Sequence, residues 1–244
     1  MRTVVVLPTY NERENITPLL TAVRDVSTEI DVLVVDDNSP DGTAQVAREL
    51  GDRLGGVTVL DRSIKEGLGS AYRAGFRHVL DDGYEVVITM DADLSHDPTA
   101  IPQMLALLDD GADAVIGSRY VTGGGTTDWP VRRQLLSRWG NAYTRSVLGL
   151  HTHDCTSGFR AYRAPALSAI QPDTTHAEGY AFLTELVRRL TRQGYAIVET
   201  PIIFRDRTLG KSKMSGRIIV ESMLLVTRWG VSDRVRRLRR RARR

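Results

Sequence analysis

The stretch "YEVVITMDADLSHDPTAIPQMLALLDDGADAVIGSRY", residues 84–120, reads as strand, helix, strand. "YEVVITMD" (84–91) is a β-branched apolar run that stops on acid, and "DAVIGSR" (113–119) is a second such run. Between them "PTAIPQMLALLDD" has helical apolar spacing. Asp97 is placed to cap that helix, Pro98 falls at its first position and Gly111 lies just beyond its end. The same alternation runs upstream. Strand patterns "TVVVL" (3–7), "DVLVVDD" (31–37) and "VTVLD" (57–61) are interleaved with helical patterns "ITPLLTAVRDV", "TAQVARELGDRL" and "GSAYRAGFRHVL". Repeated βα units predict an α/β fold with a mostly parallel central sheet and helices on both faces. The remainder is less regular, with helices expected near 132–148, 180–192 and 215–229 and strands near 159–163 and 195–204.

In such sheets ligands bind beyond the carboxyl ends of the strands. "PTYNE", "DDNSPDG", "MDADLSHDP" and "GSRY" each follow a strand, so one crevice is expected to collect Glu12, Asp37, Asp91, Asp93 and Arg119. Asp91 and Asp93 are two apart, and extended backbone would turn both to one side. Paired carboxylates repel unless a proton or a cation sits between them, which points to a hard divalent ion such as Mg²⁺ or Mn²⁺. Mg²⁺ fills its remaining positions with water and substrate phosphates, so a nucleotide diphosphate is the expected ligand class. Asn38, Pro40, Asp41 and Gly42 are turn residues, whereas Asp37 is left to accept from a ribose or a base. "KEGLGSAY" (65–72) matches neither phosphate-loop pattern and reads as a turn opening a helix, so no dinucleotide cofactor is expected. "HTHDC" (151–155) offers too few ligands for zinc and reads as a loop. Cations suited to phosphate are Arg119, Arg133 in "WPVRRQLLSRWGN", and Arg207, Lys211 and Lys213 in "FRDRTLGKSKMS".

At 244 residues the chain is long enough for one sizeable core, and one domain over 1–233 is expected. A single cysteine, Cys155, excludes an intramolecular disulfide, and no signal segment is evident, so an intracellular chain is expected. "IIVESMLLV" (218–226) is half the length of a membrane span and carries Glu221. Eight arginines crowd residues 234–244, so the formal charge of +3 leaves 1–233 at −5. Such a basic tail suits a solvated end, an anionic membrane surface or nucleic acid.

"LPTYNE" (7–12), "DDNSPDGT" (36–43), "GLGSAY" (67–72), "MDADLSH" (90–96), "GSRY" (117–120), "TSGFR" (156–160) and "RTLGKSKM" (207–214) together resemble the polyprenol-phosphate (dolichol-phosphate) mannose synthases of glycosyltransferase family 2. The likeness covers about residues 3–225. It implies a GT-A (Rossmann-like) fold, with a nucleotide-binding half at about 1–120 and an acceptor half at about 121–233. It also implies inverting transfer of mannose from GDP-mannose to a polyprenyl phosphate. Positions matching Pro8, Tyr10, Glu12, Val35 and Asp37 would hold guanosine. Asp91, Ala92 and Asp93 match the metal and diphosphate segment, with Asp91 and Asp93 as metal ligands. Arg119, Arg207 and Lys213 match donor or acceptor phosphate contacts, and Arg133 is a further candidate for the lipid phosphate; with Asp93, Arg119 and Arg133 are the expected catalytic residues. A polyprenyl acceptor lies in a bilayer. "RRQLLSRWGNAYTRSVLGL" (132–150) and "RIIVESMLLVTRW" (217–229) mix apolar residues, Trp and Arg as interfacial helices do. The expected partner is then the inner face of the cell membrane, met through these helices and the Arg tail, with a separate membrane-anchoring protein as a candidate and no nucleic acid. Rival expectations are a UDP-sugar donor carrying glucose or N-acetylglucosamine, a nucleotidyltransferase, and a nucleic-acid-binding protein that uses the tail.

Overall fold

Residues 1–206 and 216–241 are described by a computed structural model, with side chains in the last helix described for 220–235. Valine-rich runs form the strands β1 (Thr3–Thr9) and β2 (Ile30–Asp36), and both are buried almost throughout. Such continuous burial belongs to parallel strands covered on both faces. β3 (Val57–Asp61) is only half buried, as an edge strand is. β4 (Val86–Thr89) and β5 (Ala114–Ser118) are fully buried. The helices α1 (Arg13–Val26), α2 (Thr43–Leu54), α3 (Leu68–Asp81) and α4 (Ile101–Asp109) fall where the apolar spacing predicts them. A 3₁₀ turn, Pro98–Ala100, leads into α4 and is capped as expected, with the Asp97 carboxylate accepting from the Thr99 amide. Gly111 follows α4 with φ 106°, a left-handed stop.

Downstream come β6 (Gly125–Thr127), α5 (Val131–Leu148), β7 (Arg160–Arg163), α6 (Ala164–Ala169), α7 (Gly179–Gln193), β8 (Ile197–Pro201), β9 (Ile203–Arg205) and α8 (Gly216–Arg241). One seven-stranded sheet has the order β3-β2-β1-β4-β7-β5-β8, and β6 and β9 form a separate parallel pair. Every pairing in the large sheet is parallel except those of β7, which runs antiparallel to both β4 and β5. Strands of 121–233 are thus built into the sheet of 1–120. The single strand expected over 195–204 is two, because the chain leaves the large sheet after Pro201 and enters the small one at Ile203. The chain proceeds from β1 outward to β3 on one side and resumes at β4 on the other. The topological switch point therefore lies between β1 and β4.

Alternation along β1 divides the core: Val5 and Leu7 join a cluster with α1, α2 and α4, while Val4 and Val6 join one with α3, α6 and α7. The second cluster contains stacked Tyr72, Phe76 and Phe182. α3 lies so close to the sheet that a Cβ at Gly75 would stand 2.7 Å from Val6. α5 packs on α8, where a Cβ at Gly230 would meet Val147 at 2.5 Å and Tyr143 shares a 2.6 Å hydrogen bond with Thr227. Asp233 accepts from Arg188 at 2.6 and 2.8 Å and fastens α8 to α7. The backbone of 234–241 continues α8 beyond the point where the Arg-rich tail begins. No described helix is long and apolar enough to cross a membrane.

Candidate active site

Three strand ends and the segments that follow them build the site. Pro8 and Val35 are register neighbours at the carboxyl ends of β1 and β2. Beyond them the Glu12 carboxylate accepts from the Asn15 amide at 2.8 Å, and its backbone N–H donates to Thr43 at 3.0 Å. Lys65 sits 3.7 Å over the Tyr10 ring, a cation–π contact made by the segment read from sequence as a plain turn. Asp36 is spent on the turn, accepting from Thr9 and from both Ser39 donors. Asp37 instead accepts from Arg62 at 2.5 Å. Burial raises its carboxyl above the ordinary range and outweighs the opposing Arg62 charge.

β4 ends at Thr89, so Asp91 and Asp93 do not stand on one side of an extended strand as expected. They lie in a bend that passes through Leu94 at φ 62°, and the bend rather than the pleat brings them to one cavity. Asp93 accepts from the Ser95 amide at 3.2 Å, and the Asp91 amide donates to His96 Nδ1 at 3.3 Å. That bond places the imidazole proton on Nε2, which is buried with no hydrogen-bond partner among the described residues. His96 stacks on Phe159, meets Phe204 edge-on, and burial pushes its pKa down to about 4, so it is neutral at pH 7. Ala92, also expected in the site, is buried in the core and is not among the cavity's lining residues.

The cavity is lined by Asp91, Asp93, Arg119, Arg133, Tyr180 and Asp206, among others. Arg119 forms a fork with Asp154, Nε and Nη2 each donating at 2.7 Å, and Nη2 also reaches Thr156. Burial would raise the Asp154 carboxyl, but the Arg119 charge and hydrogen bonds hold it below the usual range. Arg133 lies 4.0 Å over the Trp129 ring and donates to both oxygens of Asp206 at 2.9 Å. Among the described lining residues, three carboxylates thus share the cavity with two guanidiniums, one of them paired with Asp154. Among the described residues no group of three or more His, Cys, Asp or Glu could hold a metal; the cavity offers the carboxylates of Asp91 and Asp93 as oxygen donors. An all-oxygen pair suits Mg²⁺ or Mn²⁺, with water and substrate oxygens completing the shell.

Expected site residues thus fall into three sets. Asp91, Asp93, Arg119 and Arg133 share the cavity. Pro8, Tyr10, Glu12, Val35 and Asp37 cluster at the neighbouring ends of β1 and β2. Arg207 and Lys213, with Lys211, lie outside the described residues. Sequence spacing missed Asp154, Asp206, Arg62 and Gly158. Asp154 sits in "HTHDC", where Cys155 is buried with its thiol pushed up to about 12 and His153 pairs with Glu199 at 2.9 Å. At Gly158 a Cβ would stand 2.7 Å from Asp91 Oδ1. Gly158→Ala is therefore expected to displace that carboxylate and weaken Mn²⁺ binding by about 10- to 100-fold. Metal titration of the thermal midpoint checks this, and unchanged affinity would remove Asp91 from the donor set.

The family described as Glycosyl transferase family 2 matches residues 4–171. The chain is 46% identical over 242 residues to the polyprenol monophosphomannose synthase of Mycolicibacterium smegmatis, covering 98% of this chain and 90% of that one. It is 48% identical over 241 residues to the undecaprenyl-phosphate mannosyltransferase of Micrococcus luteus, covering 99% of both. Among solved structures, the glucosyl-3-phosphoglycerate synthase of Mycobacterium tuberculosis with Mn²⁺, UDP-glucose and phosphoglyceric acid matches with a TM-score of 0.68 at 21% identity, over 93% of this chain and 80% of that one. The mannosyltransferase PcManGT of Pyrobaculum calidifontis with GDP-Man and Mn²⁺ matches with a TM-score of 0.65 at 19% identity, over 96% and 64%. At such identities these two structures speak for the shared fold.

Proposed function

The chain belongs to glycosyl transferase family 2, and on that premise we propose that it transfers mannose from GDP-mannose to a polyprenyl phosphate with inversion, giving polyprenyl phosphate β-mannose. The observation that carries this reading is identity near one half, along the whole chain, to two enzymes named for mannosyl transfer to such lipids. The cavity at the strand ends supports it, since Asp91, Asp93 and Asp206 line it together with Arg119 and Arg133.

The chemistry asks little of a protein base. A phosphate monoester has its second pKa near 6 and is mostly dianionic at pH 7. One of its oxygens forms the bond to the anomeric carbon, the bond from that carbon to the GDP oxygen breaks, and GDP leaves with the electron pair. No proton moves, which agrees with a buried, neutral His96 beside the cavity. The protein's task is alignment and charge compensation. Arg119, held rigid by Asp154, lines the cavity with a fixed guanidinium. Arg133 is oriented by Trp129 and Asp206, so an entering phosphate competes with Asp206 for the Arg133 Nη1 donor. Arg207 and Lys213 complete the set of phosphate contacts. Asp91 and Asp93 would hold the divalent ion, which supplies Lewis acidity to the donor diphosphate when bound.

Pro8, Tyr10, Glu12, Val35 and Asp37 form the guanosine pocket on this reading, with the Arg62–Asp37 pair and the Lys65-covered Tyr10 ring as its fixed polar walls. The donor is tested by calorimetry with Mn²⁺ present. GDP is expected to bind at least about 100-fold more tightly than UDP, since a site built to hydrogen-bond one base leaves its groups unpaired against another. Equal or tighter UDP binding would overturn GDP-mannose in favour of a UDP-sugar.

The acceptor's chain also requires a lipid-facing surface. α5 exposes Leu135, Leu136 and Trp139, and α8 exposes Val220, Leu224 and Val231, Leu135 and Leu224 each by more than 60%. Apolar residues beside arginines on two packed helices suit the plane of a bilayer interface, and the arginines that follow add attraction to anionic lipid. In this reading the enzyme works as a peripheral protein on the inner face of the cell membrane.

A further inference from the structure

Between the loop after β5 and one side of α5 lies a second cavity of about 250 Å³, lined in part by Arg119, Tyr120, Arg138, Asn141, Arg145 and His153. Among the described residues no carboxylate lines it. Arg119 is already compensated by Asp154, and the His153 ring faces Glu199. Among the described residues neither Arg138 nor Arg145 forms an ion pair, and Nε of Arg145 is buried with no hydrogen-bond partner. A buried guanidinium donor without an acceptor is costly, and here several donors converge on one space.

The walls of that space are fixed. Asn141 spends its amide on Ser137, Thr156 and the Cys155 backbone, and the Tyr120 hydroxyl donates to Ser137 at 2.6 Å. What remains is positive and rich in donors, which calls for an anion with several acceptor oxygens. The volume lies below the roughly 300–1,000 Å³ typical of pockets that enclose a whole drug-sized ligand. A single phosphate-bearing headgroup therefore fits better than a nucleotide sugar. The exposed Leu135, Leu136 and Trp139 belong to the same helix as Arg138 and Arg145, so a bilayer met by α5 would bring lipid phosphates to this helix.

We propose that the Arg138–Arg145 cavity, which adjoins the Asp91–Asp93 cleft at Arg119, is a second phosphate site that takes a phosphate mono- or diester from an anionic lipid headgroup or from solution. Arg119 lines both cavities, so the test is placed on Arg138 and Arg145, which line only this one, and it reads binding rather than turnover.

The test compares the full chain with Arg138→Gln/Arg145→Gln in three arms: glycerol 3-phosphate in solution, vesicles of phosphatidylcholine, and vesicles of phosphatidylcholine with phosphatidylglycerol. The double variant is expected to lose glycerol 3-phosphate binding by about tenfold or more. Its affinity for the anionic vesicles is expected to fall about 30-fold, with neutral-vesicle binding and the thermal midpoint unchanged. A loss confined to the anionic vesicles would assign the site to a lipid headgroup, and a loss confined to glycerol 3-phosphate would assign it to a free monoester. No loss in either arm, or an equal loss on neutral vesicles, would overturn the proposal.

Discussion

Asp93→Asn is expected to lower mannosyl transfer by at least about 10²–10³-fold while the protein keeps its thermal midpoint. Asparagine has the same shape and can still accept the Ser95 amide bond, so the bend after β4 is retained. What disappears is one negative charge from a cavity that Asp91, Asp93 and Asp206 line together with Arg119 and Arg133. Without metal that loss relieves repulsion, so the midpoint should hold or rise. With saturating Mn²⁺ the wild-type midpoint should climb, because a ligand that binds only the folded state stabilises it, whereas the variant's should not. Full activity together with an undiminished metal shift would place the ion elsewhere.

Asp154→Ala is expected to destabilise the fold by about 3–5 kcal/mol, a fall of roughly 10 °C in midpoint for a chain of this size. Asp154 is wholly buried and accepts from the Arg119 backbone and guanidinium and from the Thr156 and Ser157 amides. Its removal strands the Arg119 guanidinium, only 5% exposed, beside an apolar void. Pairing the change with Arg119→Met should restore much of the stability, since removing both charges avoids the uncompensated one. Transfer should not return, because Arg119 itself is proposed to meet phosphate. Restored activity in the double variant would make the pair purely structural. The pH dependence has a definite sign. The Asp154 carboxyl is held below its unfolded value, so its contribution is present above the ordinary carboxylate range near pH 4 and is lost as pH falls through the folded value.

What sequence disclosed and what it hid divide along the range of the interactions. Strands and helices of the first 120 residues follow from local periodicity and punctuation: the Asp97 cap, Pro98 and Gly111 all act within a few residues of themselves. β7 is different. Its four residues, Arg160–Arg163, look like any short strand, and only their partners β4 and β5 reveal that they run antiparallel between them. Asp91 and Asp93 were legible as a pair because no cap or turn demands two acids there, although a bend and not a pleat brings them together. Asp154 was not legible, since its partner Arg119 lies 35 positions upstream and no spacing rule links them. Gly158 likewise has meaning only through the Asp91 oxygen it makes room for.

Transfer of radiolabelled mannose from GDP-mannose to a polyprenyl phosphate in detergent, with and without a chelator, tests the central claim most directly. The predicted result is a lipid-extractable product that vanishes with chelator, returns with added Mg²⁺ or Mn²⁺, and fails to form with Asp93→Asn. Product formation that survives chelation at full rate, or no product from GDP-mannose where a UDP-sugar gives one, would contradict it.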